Sequence, residues 1–158
     1  MTGTSVTAKT VLIADDTAFV RDRFKTALED AGHRPIVARS AVELLAKVRA
    51  DLDRIDLIAL DLRLPNAPGV DLVRAIRKID AGRLPILVFS GTIVSADEVR
   101  ELSSLGVVGY VNEYSAVQHI LPSLAPHLFP DSFNRRGSPA WSWASRSRTG
   151  SETRSPPR

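Results

Sequence analysis

Residues 56–77 read DLIALDLRLPNAPGVDLVRAIR. The apolar run Leu57 to Leu60 suits a strand covered on both faces, and it ends on a carboxylate, Asp61. Pro65 and Gly69 bracket the loop that follows, and Leu72, Val73 and Ile76 then recur at helical spacing. The stretch therefore predicts a strand, a loop and a helix, with an acidic side chain where the strand gives way to the loop.

The same unit can be read five times. Strands are predicted at Thr10 to Ala14, Arg34 to Ala38, Leu57 to Leu60, Pro85 to Phe89 and Val107 to Val111. Between and after them, Val20, Phe24, Ala27 and Leu28; Val42, Leu45 and Val48; Val99 and Leu102; and Val117, Ile120, Leu121 and Leu124 each mark one buried helix face. Gly32 is placed to stop the first helix and Ser40 to cap the second. Strands alternating with helices predict an α/β domain with a doubly wound, five-stranded parallel sheet in three α/β/α layers, for which right-handed crossovers leave few topologies.

Composition narrows the function. The chain has 158 residues, 44% hydrophobic and 25% charged, as expected of a globular domain. It has no cysteine, which excludes disulfides and thiolate metal sites. No apolar stretch approaches the roughly 20 residues of a membrane span, and MTGTSVTAKT lacks the apolar core of a secretory signal, so a cytoplasmic protein is expected. The net charge of +3 is unevenly placed: residues 1–130 hold 15 Lys and Arg against 16 Asp and Glu, while residues 131–158 hold 6 against 2. A near-neutral domain gives no support to a nucleic-acid-binding surface, and binding through the arginine-containing tail would rest on its charge alone.

In open α/β sheets, ligands bind beyond the carboxyl ends of the strands. The polar residues there are Asp15 and Asp16, Asp61, Ser90, Asn112 and Glu113. Carboxylates brought within a few ångströms repel one another and raise each other's pKa unless a cation, usually Mg²⁺, sits among them. Asp15, Asp16 and Asp61 accordingly read as a metal site; the plainer alternative is an exposed loop pair capping the first helix.

VLIADD (11–16), the 56–77 stretch, VFSG (88–91) and GYVNE (109–113) occur in register over roughly residues 9–128, and in order and spacing the chain resembles the receiver domain of two-component response regulators. The resemblance implies a flavodoxin-like fold with strand order 2-1-3-4-5 and a signalling module rather than an enzyme acting on a separate substrate. Asp61 would be the phosphoacceptor, taking its phosphoryl group from a histidine kinase or phosphotransfer protein. Asp16 with Asp15 would hold Mg²⁺, with the main-chain carbonyl of Arg63 as a further ligand. Ser90 would bond a phosphoryl oxygen, and Tyr110 would be the switch aromatic. An unknown downstream protein would dock on helix 4, strand 5 and helix 5, around Val99, Leu102, Tyr110, Val117 and Leu121.

One position departs from the pattern. Such domains carry a lysine after strand 5, commonly followed by proline; here Glu113 and Tyr114 stand in those places, and no Lys or Arg occurs between Arg100 and Arg135. Glu113 either turns outward, joins the metal ligands, or marks a pocket that no longer accepts phosphate. In the last case the domain would act as a phosphorylation-independent interaction module. Arg63 is placed to approach a phosphoryl group or to pair with Glu113, and equally to face solvent.

The chain thus divides into an N-terminal extension at 1–8, a receiver domain at 9–129 and a Ser/Arg/Pro-rich tail at 130–158 that is expected to be disordered, too short for an output domain. Trp141 and Trp143 are the tail's large apolar residues, either exposed or docking a partner. The segment HLFPDSFNRRGSP resembles the junction between a receiver and a PilZ domain, but Ala140 stands four residues after Arg136 where that domain's motif has arginine, and no strand alternation follows. Cyclic di-GMP is not an expected ligand, and the tail reads as a truncated or frameshifted remnant.

Overall fold

The computed structural model describes residues 7–129; the tail and its two tryptophans lie outside them. Five parallel strands, β1 (Thr10–Ala14), β2 (Arg34–Ala38), β3 (Leu57–Asp61), β4 (Ile86–Ser90) and β5 (Gly109–Asn112), form one sheet in the order β2-β1-β3-β4-β5. The helices are α1 (Ala18–Asp30), α2 (Ala41–Ala50), α3 (Gly69–Asp80), α4 (Ala96–Ser104), α5 (Glu113–Gln118) and α6 (Ile120–Leu128). This is the expected doubly wound architecture.

Alternate strand residues feed two cores, one on each sheet face. Val11, Ile13, Leu57, Ala59, Leu87 and Phe89 pack with Val20, Phe24 and Leu28 of α1 and with Ile120, Leu124 and Leu128 of α6. Phe24 stacks on Phe89 with ring centroids 5.4 Å apart. On the opposite face, Leu12, Ile58, Leu60, Ile86 and Val88 meet Leu44 and Val48 of α2, Val73 and Ile76 of α3 and Leu102 of α4. Burial on both sides explains why these strands read as continuous apolar runs.

Local signals act as their chemistry requires. Gly32 (φ 86°) ends α1 in a Schellman motif, its amide bonding the carbonyl of Glu29 at 3.0 Å and that of His33 bonding Leu28 at 2.8 Å. The Ser40 hydroxyl accepts from the Glu43 amide at 3.1 Å and so caps α2. Gly69 starts α3 where a Cβ would lie 2.6 Å from the Leu62 carbonyl oxygen and 2.3 Å from Leu62 Cδ1. Only glycine lets α3 come this close to the loop behind Asp61.

Three strands, the fifth helix and one helix face differ from the sequence reading, β4 and β5 each also running on by one residue, to Ser90 and Asn112. β3 extends one residue, to Asp61. β4 begins at Ile86, because Pro85 has no amide to give to the ladder. β5 begins at Gly109, the Val107 amide being spent on the Leu102 carbonyl at the end of α4. The fifth helix is two: Pro122 offers no N–H to the Gln118 carbonyl and its ring opposes that carbonyl, so the chain turns at His119 (φ −134°, ψ 60°) and restarts. In α2, Leu44 and Val48 form the buried stripe while Val42 is exposed, lying about 200° around the helix from Leu44.

Gly69→Ala is expected to lower stability by about 1–3 kcal/mol in urea denaturation, since the Leu62 carbonyl that the new Cβ would meet is backbone and cannot step aside. Wild-type stability in that variant would show that α3 can shift away from Leu62.

Candidate functional site

The parallel register assembles the site. Ala14 lies opposite Leu60 and Ser90 opposite Asn112, so the next residues, Asp15 beside Asp61 and Gly91 beside Glu113, meet at the carboxyl edge of the sheet. Asp15 is fully buried, Asp61 is 6% exposed and Glu113 is half-buried. One carboxylate oxygen from each of Asp15, Asp61 and Glu113 lies within 4.8 Å of the others. Asp16 is exposed and is not one of this trio.

Main-chain amides hold two of the carboxylates. Asp15 Oδ1 accepts from the Thr17 amide at 2.7 Å and Asp61 Oδ1 from the Arg63 amide at 2.9 Å. Asp15 Oδ2 is buried without a hydrogen-bond partner among the described residues. A buried acceptor left unpaired is costly, and a divalent cation in the midst of three carboxylates would satisfy it. The donor set is all oxygen, which suits a hard ion such as Mg²⁺. The residues present therefore fit that metal.

Proton affinity responds to the crowding. Burial, and then the charge of Glu113, pushes Asp15 from 3.8 up to about 6. Burial and the neighbouring Asp15 push Asp61 from 3.8 up to about 7, and the two protons belong to the pair rather than to either residue. Glu113 is also raised, by burial and by the charge of Asp61. The exposed Asp16 adds repulsion to all three.

Arg63 does not reach Glu113. Its Nε donates to Thr92 Oγ1 at 2.8 Å, Nη1 to Glu98 Oε2 at 2.8 Å, and Nη2 to Glu98 Oε1 at 3.1 Å and to the Ile93 carbonyl at 3.0 Å. The bidentate pair raises the Arg63 pKa and lowers that of Glu98. Glu98 also belongs to the capping box of α4: Ser95 Oγ accepts from its amide, and its side chain accepts from the Ser95 amide.

Ser90 and Tyr110 join the same network. The fully buried Ser90 Oγ accepts from the Thr92 amide at 3.0 Å and lies 3.1 Å from Thr92 Oγ1. The Tyr110 hydroxyl reaches the Thr92 carbonyl at the long limit of 3.5 Å, with the residue 9% exposed. Thr92 and Glu98 were not identified from the sequence. The Ser95-x-x-Glu98 spacing announces a helix start, whereas nothing in the sequence marks Thr92 as a junction.

The start of α5 accounts for the placement of Glu113. Asn112 Oδ1 accepts from the Tyr114 amide at 2.9 Å and the Ser115 amide at 3.3 Å, so the helix begins at Glu113 itself, and Tyr114 is exposed.

The fold is that of a known class. The family model of the response regulator receiver domain matches residues 11–124, and the chain belongs to that family. It is 32% identical over 111 residues to the virulence transcriptional regulatory protein PhoP of Salmonella typhimurium, covering 70% of this chain and 48% of PhoP. It is 36% identical over 112 residues to the sensor histidine kinase AruS of Pseudomonas aeruginosa, covering 69% of this chain and 11% of AruS. The chain thus spans about half or less of the length of these relatives. The solved structure of the Vibrio cholerae chemotaxis protein CheY4 matches with a TM-score of 0.68 at 27% identity, over 77% of this chain and all of that one. A CheY-like receiver domain protein from Methanospirillum hungatei matches in fold, with a TM-score of 0.69 at 24% identity over 83% of this chain and 100% of that chain. Receiver domains are signalling modules of two-component systems; they bind Mg²⁺ at an acidic pocket and take phosphate from histidine kinases or phosphotransfer proteins. Among the described residues no helix is long and apolar enough to cross a membrane.

Two outcomes follow from this geometry. Because Asp15 and Asp61 bind protons more tightly folded than unfolded, their contribution to stability is full below about pH 4 and is lost as pH rises through about 6 to 7. Denaturation in EDTA should show wild type losing more stability than Asp61→Asn between about pH 5 and about pH 8, with saturating Mg²⁺ removing the difference; equal losses would exclude the cluster as the source. A double-mutant cycle on Arg63→Ala and Glu98→Ala should give a coupling of about 0.5–1 kcal/mol, as for a half-exposed pair, and additivity would show the pair to be energetically idle.

Proposed function

We propose that the chain is a Mg²⁺-dependent phosphoacceptor switch, with Asp61 as acceptor and a histidine kinase or phosphotransfer protein as donor. The observation that carries this reading is the convergence of Asp61 with the buried, unpaired Asp15 Oδ2 at the carboxyl edge of a receiver fold. Asp15, Asp16, Asp61 and the Arg63 main-chain carbonyl would hold Mg²⁺, which would neutralise charge on the transferring phosphoryl group.

The chain's own groups prepare the transfer. The Arg63 amide fixes Asp61 Oδ1, leaving the other oxygen to attack phosphorus in line. An O–P bond forms as the P–N bond to the donor imidazole breaks, and the electron pair of that bond returns to the imidazole nitrogen. Ser90, now bonded within its own loop, would turn its hydroxyl to a phosphoryl oxygen, and Thr92 would move with it. Since Thr92 also holds Arg63 and Tyr110, this movement would pass to α4 and β5. Beside the acceptor, a groove of about 600 Å³ is rimmed by the exposed Phe19 and Tyr114, giving a donor protein apolar area near the site.

A downstream protein would bind at α4, β5, α5 and the first turn of α6. Leu102 and Tyr110 are buried, so in this state the half-buried Val99, Val117 and Leu121 are the apolar groups that surface offers. The reading as a phosphorylation-independent interaction module draws on Glu113, whose charge opposes a phosphoryl group.

Incubated with Mg²⁺ and a small phosphodonor, wild type is expected to gain a phosphoryl adduct, read by mass spectrometry, that Asp61→Ala lacks. No adduct in wild type, beside a control receiver that labels, would leave the interaction module. Glu113→Lys is expected to enlarge the conformational response to beryllofluoride, and an unchanged response would mean that the missing lysine does not limit switching.

A further inference from the structure

Among the described residues, no Lys or Arg side chain forms an ion pair with Asp15, Asp61 or Glu113. Asp15, Asp61 and Glu113 converge within 4.8 Å, and at that separation carboxylates that are ionised together repel one another. Two guanidinium groups lie beside the pocket and both are engaged elsewhere: Arg63 spends its N–H groups on Glu98, Thr92 and the Ile93 carbonyl, and Arg21 Nη1 donates to the Asp15 main-chain carbonyl at 2.9 Å. Glu113 nevertheless turns inward rather than out to solvent. Its Oε1 occupies space over Gly91, 2.8 Å from where a Cβ would stand. The sheet register sets Gly91 beside Glu113, and the absent side chain leaves room for the carboxylate at the pocket wall.

We infer that Glu113 is a cation ligand, completing with Asp15 and Asp61 a three-carboxylate site for a hard divalent ion of the Mg²⁺ and Mn²⁺ class. This rests on the metal pocket of the proposed function and goes beyond it in one respect: the residue standing where a lysine would be supplies a ligand instead of a charge. Asp15 Oδ2, buried and unpartnered, points independently to an ion among these carboxylates. The exchange has opposite effects on two ligands. An added anionic ligand tightens the hold on a cation and opposes a phosphoryl dianion. The resting pocket is therefore tuned to a divalent cation, which binds without a phosphoryl group present.

The test uses the whole chain and metal alone. Mn²⁺ binding is followed by electron paramagnetic resonance and calorimetry for wild type, Glu113→Gln, Gly91→Ala and Asp15→Asn, with circular dichroism confirming that each variant is folded. Glu113→Gln is expected to weaken Mn²⁺ binding about tenfold or more, as loss of a charged ligand does. Gly91→Ala, which displaces the Glu113 carboxylate without touching a ligand, should weaken it in the same direction. Binding within twofold of wild type in Glu113→Gln, together with loss in Asp15→Asn, overturns the role of Glu113 and leaves the metal pocket standing. Binding unchanged in both overturns the pocket itself.

Discussion

Like charges forced together at the end of a buried sheet are the constraint around which the upper face of this domain is arranged. Parallel pairing of β1 with β3 fixes Asp15 next to Asp61, and strands covered on both faces leave water little access. Main-chain amides of Thr17 and Arg63 take one oxygen of each, and those bonds, with proton uptake or a cation, offset the repulsion. The three-layer core, with Phe24 stacked on Phe89 beneath, holds the strand ends rigidly enough that the carboxylates cannot drift apart.

Much of this was legible in residue order. Continuous apolar runs located all five strands, two of them with the boundaries observed, and helical spacing found every packed face except that of α2, where Val42 shares the spacing but not the side of the helix. Glycine and serine at Gly32 and Ser40 announced their caps. What escaped was set by interactions that a linear reading does not contain. The Pro122 ring acts on a carbonyl four residues back, the Val107 amide is claimed by α4, and Arg63 finds its partner 35 residues away in Glu98. Three fates for Glu113 were compatible with the sequence; its inward turn depends on a glycine in the neighbouring strand's loop.

Within the pocket, charge and connection are divided between different residues. Asp15, Asp61 and Glu113 make the electrostatic problem, while Arg63, Thr92 and Glu98 tie the acceptor loop to the loop after β4 and the first turn of α4. Thr92 is the junction: its amide, hydroxyl and carbonyl contact Ser90, Arg63 and Tyr110. The acceptor segment, the buried hydroxyl and the aromatic ring are thus connected through protein groups alone, without a lysine bridging them.

Glu98 has one carboxylate and two obligations, closing the capping box of α4 and gripping Arg63. Fraying of α4 and release of the acceptor loop consequently draw on the same side chain. Loss of that carboxylate would therefore cost α4 its capping box and Arg63 its bidentate partner at once, tying the local stability of the first turn of α4 to that of the residue two positions beyond Asp61.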